Sequence, residues 1–329
     1  MATMAVIGLG YMLWTVKDRR ARDPKPMLSA VKFRRPLELD GLVYLPKNSS
    51  IVVGLQIAEC LEDGKVGKPL LDEPRPAGLD WVLKQITRTL DMELKEIDHV
   101  LMAPSPDLRS PQMTLVVKTR RPIDLKRIAQ AGPVETKLHQ EEPLYYFTLK
   151  PGGEALVWCV EERTALYVIG FEANKIEHLQ GLSKTARPID EALAAPVREA
   201  MKERLAKYQF AWGAGRLDHL GAFKELLPFV PGMKIDMAAL KELKTFAVGL
   251  EPIDGLTMTG HFQSSDAKSA AKLKGLLATV QIEGAASQKI EMPPTETKEW
   301  WVTWQVRGEA AVMRAWLSSF SARDARRER

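Results

Sequence analysis

Apolar residues recur along most of this chain at strand or helix spacing, and the two spacings follow each other in a regular order. Ile51, Val53 and Leu55 alternate with residues of the opposite face, which predicts a strand. Segment 79–90 has helical spacing instead, and its predicted apolar face consists of Leu79, Val82, Leu83, Ile86 and Leu90. Two strands, 97–103 and 112–120, follow around a Pro-rich turn. A helix then runs from an N-cap at Asp124 to a stop at Gly132.

The same order of elements returns roughly 150 residues later. A strand near 208–216, proline-broken helical pieces, a hairpin over 245–262 and a helix over 266–280 repeat the pattern without repeating the residues. Three further strands lie between the copies, and a strand and a helix follow the second one. Strands joined by hairpins, with helices between the groups, are typical of antiparallel α+β folds. The sequence therefore predicts an α+β fold with antiparallel sheets and a duplicated β-α-β-β-α unit, preceded by a short N-terminal membrane helix.

Two interpretations compete for the N-terminal stretch "AVIGLGYMLW" at residues 5–14. A dinucleotide-binding loop would need a third small residue after Gly8 and Gly10, but Leu13 stands there. Pro24 and Pro26 leave little room for the crossover helix of a βαβ unit. The nucleotide interpretation is therefore the weaker one.

A membrane anchor fits the stretch better, because residues 1–16 carry no charge and a basic run follows them. About 16 residues at about 1.5 Å each reach about 24 Å, against about 30 Å of hydrocarbon. A short anchor, a longer anchor with an upstream start, a signal peptide and a buried helix stay open as alternatives. The anchor residues are Val6, Ile7, Leu9, Tyr11, Leu13 and Trp14. The basic residues predicted at the membrane surface are Lys17, Arg19, Arg20 and Arg22.

These patterns divide the chain into five segments. They are an anchor helix at 1–16, a basic and Pro-rich tether at 17–42, a first α+β repeat with a hairpin extension at 43–187, a second repeat with a Trp-rich strand and helix at 188–320, and a basic tail at 321–329.

The distribution of charge along the chain indicates which kinds of binding partner to expect. The net charge is +5, and much of the excess lies at the two ends of the chain. A nucleic-acid-binding protein would present a basic stripe on one folded face, and the central part mixes both signs instead. Basic flanks suit anionic lipid headgroups. We therefore expect the lipid bilayer and other envelope or membrane proteins as partners, and no nucleic acid.

Catalytic motifs are missing from the sequence. The five histidines have no metal-ligand spacing, and no GxSxG elbow, SxxK motif or P-loop is present. His99 beside Asp98 and His261 are expected on solvated strand faces. Cys60 and Cys159 are expected as two buried thiols, although one bridge between them stays open. The sequence thus predicts no catalytic, cofactor-binding or metal-binding residues, and a protein that is not an enzyme.

Tryptophans cluster near the C-terminus, and they form the candidate partner surface: Trp300, Trp301, Trp304 and Trp316. In a strand, Trp300, Val302 and Trp304 share one face and Trp301 takes the other. A core of large aromatics is one interpretation. An exposed Trp301 at a partner or lipid interface is the other.

Three stretches carry a family resemblance: "LPKNSSIVVGLQIAE", "LKEIDHVLMAPS" and "MTLVVKTRRPIDLKRIAQ". Over about residues 43–280 the chain resembles uncharacterised membrane-anchored extracytoplasmic repeat proteins of planctomycete-type bacteria. The resemblance implies a folded part on the periplasmic side of the membrane and brings no catalytic residues with it. The basic run after the anchor points weakly to the cytoplasmic side, but large domains are often translocated regardless of such charge.

The sequence therefore predicts a non-catalytic, membrane-anchored envelope protein that acts as a binding or scaffold module. An alternative is a subunit of a larger membrane complex that docks through its anchor and Trp-rich C-terminal region. A hydrolase of unknown type is the second alternative.

Overall fold

The fold is seen in a computed structural model that describes residues 33–63, 67–71, 77–104, 112–139, 141–148, 154–170, 182, 184–205, 209–217, 242–252, 255–278 and 294–309. The predicted anchor helix, its basic flank and Trp316 lie outside the described residues. Among the described residues, no helix is both long and apolar enough to cross a membrane.

One antiparallel sheet of twelve strands organises these residues. In chain order the strands are β1 Ile51–Gln56, β2 Ile97–Pro104, β3 Met113–Thr119, β4 Glu135–His139, β5 Glu142–Thr148, β6 Glu154–Glu161, β7 Thr164–Gly170, β8 Ala211–Arg216, β9 Leu243–Glu251, β10 Leu256–Ser264, β11 Glu296–Lys298 and β12 Trp301–Gly308. Across the sheet they lie in the order β11-β12-β10-β9-β8-β1-β2-β3-β7-β6-β5-β4. The predicted α+β class with antiparallel pairing is therefore confirmed, in one sheet rather than several.

Helices lie on both faces of this sheet. They are α1 Ile57–Glu62, α2 Gly67–Leu71, α3 Ala77–Leu90, α4 Leu125–Gln130, α5 Ile189–Ala192, α6 Ala195–Arg204 and α7 Ala267–Ala278. Three 3-10 turns add to them at Pro36–Glu38, Asp40–Tyr44 and Leu94–Glu96.

Each face of the sheet carries its own apolar core. The first core packs α1, α3, α4 and α7 against the sheet, and α3 buries the face that its spacing predicts, through Val82, Leu83, Ile86 and Leu90. The second core packs α5, α6 and residues 37–45 against the opposite face. Because both faces are covered, the central strands are buried on both sides, as the burial of β1 shows.

The junction between the two halves of the chain lies at the centre of the sheet. Strands β1–β7, from residues 43–187, are contiguous on one side, and β8–β12 are contiguous on the other. β1 and β8 pair at the junction with Gly54 opposite Trp212. A Cβ atom at Gly54 would lie 2.3 Å from Trp212 Cε2, so the indole ring packs directly on the glycine.

Local capping signals behave as predicted around α4. The Asp124 side chain accepts a hydrogen bond from the Lys126 N–H at 2.9 Å, which is an N-cap contact. Gly132 follows the helix with a φ of 81°, the left-handed conformation that ends helices. The helix therefore begins and ends where the sequence signals it.

The predicted tether is too long at its C-terminal end. Residues 33–42, which the sequence analysis assigned to the tether, are packed on the sheet. Phe33 contributes to the first core, and Leu39 and Leu42 are buried in the second. We call residues 33–45 the arm, since they cover the strand ends and carry apolar side chains into both cores.

Candidate functional site

The arm is fastened to the sheet through the backbone of Arg34. The fully buried side chain of Gln56 accepts a hydrogen bond from Arg34 N–H at 3.0 Å and donates one to Arg34 C=O at 2.7 Å. The same amide group also donates to Gln209 C=O at 2.6 Å. One side chain at the end of β1 thus forms hydrogen bonds with backbone groups of two distant segments. These bonds also give the buried amide of Gln56 the partners that a buried polar group needs.

The guanidinium of Arg34 joins α1 to β2. Its Nη2 atom lies 2.7 Å from Glu59 Oε1 and 2.8 Å from Asp98 Oδ2. Burial would raise the pKa of Asp98, but hydrogen bonds and charge from His99 and Arg34 outweigh it and hold the pKa at about 2. The carboxylate of Asp98 is therefore held in its charged form by the arm and by its own neighbour in sequence.

A β-bulge brings Asp98 and His99 together. The register of β2 against β3 shifts between Ile97 and His99, so Asp98 is an extra residue on β2. His99 Nδ1 then lies 2.7 Å from Asp98 Oδ2, although adjacent residues of a regular strand point to opposite faces. His99 is fully buried rather than solvated, which corrects the expectation from the sequence.

The opposite nitrogen of His99 faces the arm. His99 Nε2 lies 3.6 Å from Asp40 Oδ1 and has no hydrogen-bond partner among the described residues. A Cβ atom at Gly41 would lie 2.7 Å from Nε2, so only glycine lets the arm approach this closely. The imidazole therefore lies between two carboxylates and under the backbone of the arm.

A second group of charges extends the contact to β3 and β6. Lys118 Nζ lies 3.1 Å from Asp40 Oδ2 and 3.4 Å from Glu161 Oε2, and it donates to Thr164 Oγ1 at 2.9 Å. The Tyr44 hydroxyl hydrogen-bonds the Glu161 carboxylate. Burial and this hydrogen bond both raise the pKa of Tyr44. The phenol therefore stays protonated and acts as a donor at neutral pH.

We call this connected set the clasp: Arg34, Asp40 and Tyr44 of the arm with Gln56, Asp98, His99, Lys118 and Glu161 of the sheet. Chemically it pairs each cation with one or more carboxylates, and it places one imidazole between the carboxylates of Asp98 and Asp40. Since the imidazole is fully buried beneath the arm, the clasp is arranged to fasten the arm to the sheet.

A shallow depression of about 720 Å³ lies elsewhere, between α3 and α4. Two of its cations are paired with carboxylates of the same depression. Arg121 Nε lies 2.5 Å from Glu96 Oε1, and Arg127 Nη1 lies 3.0 Å from Asp91 Oδ2. No group of three or more His, Cys, Asp or Glu side chains in the described part of the chain could hold a metal ion.

The tryptophan cluster is divided between core and surface. Trp304 is buried in the first core, and Trp301 is buried in the second, with the Arg204 guanidinium 4.6 Å from its ring centre. Trp300 lies in the turn before β12 and is 49% exposed. Of the tryptophans of this cluster that the structure describes, Trp301 and Trp304 follow the core interpretation, and the exposed ring is Trp300.

The outermost strand β4 presents a second exposed surface, which the sequence analysis missed. Val134, just before the strand, and Leu138 are 72% and 78% exposed, and Glu135, Thr136 and Lys137 are also exposed. β4 pairs with β5 on one side, and no other strand of the described residues lies on its outer side. Its only sequence signal is the alternation of Val, Thr and Leu with charged residues.

No protein-family model matches the chain, and a search of curated proteins finds no match. Among solved structures, the chain is similar to crystal form III of TP0453, with a TM-score of 0.47 and 13% identity over 86% of this chain and 99% of that one. Crystal form I of TP0453 gives a TM-score of 0.46 and 10% identity over 85% and 97% of the two chains.

Proposed function

We propose that this protein is a non-catalytic, membrane-anchored envelope protein that acts as a binding module for a protein partner. The observation that carries the proposal is the exposed edge of β4. Large apolar side chains on an unpaired strand edge are the usual components of strand-to-strand protein association. The bilayer is the proposed second partner, through Val6, Ile7 and Leu9 and the basic residues that follow them.

The clasp supports the scaffold part of this proposal. The arm is held on the sheet by hydrogen bonds and ion pairs at several points. Arg34 and Asp40 contact β2 and β3 through ion pairs that are partly shielded from water. A body fastened in this way keeps a fixed relation to the chain that enters the arm, which suits a scaffold at a membrane surface.

A duplicated unit is the proposed origin of the body. In the sheet, β8-β9-β10-β12 run outward from the centre in the same way as β1-β2-β3-β7 run outward on the other side. The set that begins with β1 has α4 after its third strand, β3, and the set that begins with β8 has α7 after its third strand, β10. Two copies related by a pseudo-twofold axis at the β1–β8 pair account for this order.

Site-specific photo-crosslinking in native membranes tests the binding function. A photoreactive amino acid replaces Leu138, and the control position is Lys95, whose side chain is 70% exposed on another part of the surface. We expect a protein crosslink from position 138 and none from position 95. The absence of any protein crosslink at position 138 would refute the proposed binding function of this edge.

Membrane attachment is tested in the same cells. The Leu9→Arg variant places a charge in the predicted anchor, where it costs about 2.5–3.5 kcal/mol on insertion scales. We expect the wild-type chain to stay with membranes through an alkaline carbonate wash and the variant to be released. Release of the wild-type protein by salt alone would contradict the anchor.

The second candidate function is a subunit of a larger membrane complex, and exposed Trp300 favours it. A half-exposed indole at the far end of the sheet from β4 is the kind of aromatic anchor that protein interfaces use. A photoreactive amino acid at Trp300 that crosslinks to a different membrane protein would support this candidate.

A further inference from the structure

Within the described part of the chain, the outer edge of β4 has a defined set of backbone groups that no neighbouring strand pairs. In an antiparallel pair, residues that exchange both backbone hydrogen bonds alternate with residues that exchange none. Leu138 pairs with Pro143, which has no N–H, so this pair cannot exchange both bonds. The bonded pairs are then Glu135–Tyr146 and Lys137–Leu144. Consequently the N–H and C=O groups of Thr136 and Leu138 point to the open edge.

The side chains of β4 separate by face. Thr136 lies opposite Tyr145, which is buried in the first core, so Thr136 and Leu138 lie on the face of that core. Glu135 and Lys137 lie on the other face, where their side chains form an ion pair of 3.1 Å. The edge therefore offers apolar and hydroxyl groups on one face and one charge of each sign on the other.

We propose that the β4 edge pairs with the β4 edge of a second copy of this chain, antiparallel and centred on Thr136. In this register Thr136 lies opposite Thr136 of the second copy, and Glu135 lies opposite Lys137. Val134 lies opposite Leu138 in the same arrangement. Both the charges and the apolar residues are thus self-complementary, as a twofold interface requires.

The neighbouring registers are poorer. Thr136 and Leu138 carry the outward backbone groups, so only registers that place such residues opposite each other can form backbone hydrogen bonds. The nearest registers of this kind differ by two in the summed numbers of the two opposed residues. One alternative places Glu135 opposite Glu135 of the second copy, and the next places Lys137 opposite Lys137. Like charges directly opposite each other destabilise an antiparallel pair. Only the register centred on Thr136 pairs opposite charges at both positions.

The number of backbone bonds sets the strength of the pairing. Val134 N–H already donates to Tyr146 C=O at 2.7 Å, so it does not face the second copy. The ladder is therefore at most two bonds at Thr136 and one from the Leu138 N–H at each end. A ladder this short forms a reversible dimer, and it benefits from concentration of the chain on a membrane.

This inference rests on the proposed function, because it names the partner of the same edge. The photo-crosslinking at position 138 separates the two. A product with twice the mass of the chain supports both proposals. A product containing a different protein keeps the binding function and overturns the self-pairing, and no product overturns both.

A cysteine at the centre of the pair tests the register. Residues of a bonded antiparallel pair have Cα atoms about 5.5 Å apart, which lies within the range of a disulfide. The full-length Thr136→Cys variant is oxidised in membranes, with Lys95→Cys as the control. We expect a covalent dimer from Thr136→Cys alone. Equal dimer yields from both variants, or none from Thr136→Cys, would overturn the register.

Charge reversal tests the partner without a crosslink. In purified full-length chain in mild detergent, Glu135→Lys or Lys137→Glu turns both interchain charge pairs into like pairs. We expect each single reversal to weaken the dimer about tenfold in sedimentation experiments. The double variant restores opposite charges and should regain the wild-type dimer. A monomeric wild type, or a double variant that is not rescued, contradicts self-pairing.

Discussion

The carboxylate of Asp98 provides the sharpest test of the clasp. Its side chain is 21% exposed and contacts both Arg34 and His99. Replacement by asparagine keeps the size and the hydrogen-bonding oxygen, and it removes the negative charge. Asp98→Asn therefore reports how much the charge of this group stabilises the folded state, with little change in packing.

The expected magnitude follows from the pKa of Asp98. The pKa is about 2 in the folded protein, against an ordinary value of 3.8. At about 1.36 kcal/mol per pKa unit, this difference contributes about 2 kcal/mol to the free energy of unfolding. Because the folded pKa is depressed, the contribution is complete above about pH 4 and is lost as the pH falls toward 2. The asparagine variant has no such group to titrate.

Urea unfolding read by pulse proteolysis measures this contribution in full-length chain in mild detergent. We expect the wild type to lose about 2 kcal/mol more than Asp98→Asn between pH 5 and pH 2. The matched control is Asp91→Asn, because Asp91 is 63% exposed and its ion pair with Arg127 is on the surface. The control should follow the wild type. Equal pH dependence of the wild type and Asp98→Asn would refute the charged clasp.

Three further predictions concern the sheet and one thiol. Gly54→Ala should lower the free energy of unfolding by about 1–3 kcal/mol, because the added Cβ meets the Trp212 ring, and urea denaturation measures the loss. Trp304→Ala should cost about 3–5 kcal/mol in the same assay, and the exposed Trp300→Ala should change it by about 0.5 kcal/mol or less. Partial burial and the nearby Glu142 raise the pKa of Cys159 to about 12, so maleimide should label it at pH 7.5 more slowly in the native protein than after denaturation. Equal labelling rates of the native and the denatured protein would contradict this prediction.

Local patterns predicted the elements whose signals lie within a few residues. The buried face of α3 follows from its spacing, and the ends of α4 follow from Asp124 and Gly132, because helix faces and caps are made by sequence neighbours. The shared face predicted for Val302 and Trp304 is also confirmed, since both are buried in the first core. The prediction fails only at Trp300, since Glu299 has a φ of 55° and the turn ends before Trp301.

Strand β4 is an element that local sequence patterns do not predict. Its residues are exposed at nearly every position, and the alternation of Val, Thr and Leu with charged residues is too short to distinguish it from a polar loop. It is a strand because its backbone pairs with β5. The edge that carries the proposed function therefore escaped the sequence analysis, and its self-complementary order of Glu135, Thr136 and Lys137 becomes meaningful only once the strand is known to be outermost.

The sequence by itself determined the α+β class, the positions of most strands and helices, and the uneven distribution of charge, because each depends on composition or on residues close along the chain. Only the tertiary structure decided that the two halves share one sheet through β1 and β8 and that the arm packs on it. It also decided that His99 is buried between Asp98 and Asp40. These features depend on contacts between residues far apart in sequence, and the partner in such a contact leaves no mark on the local pattern.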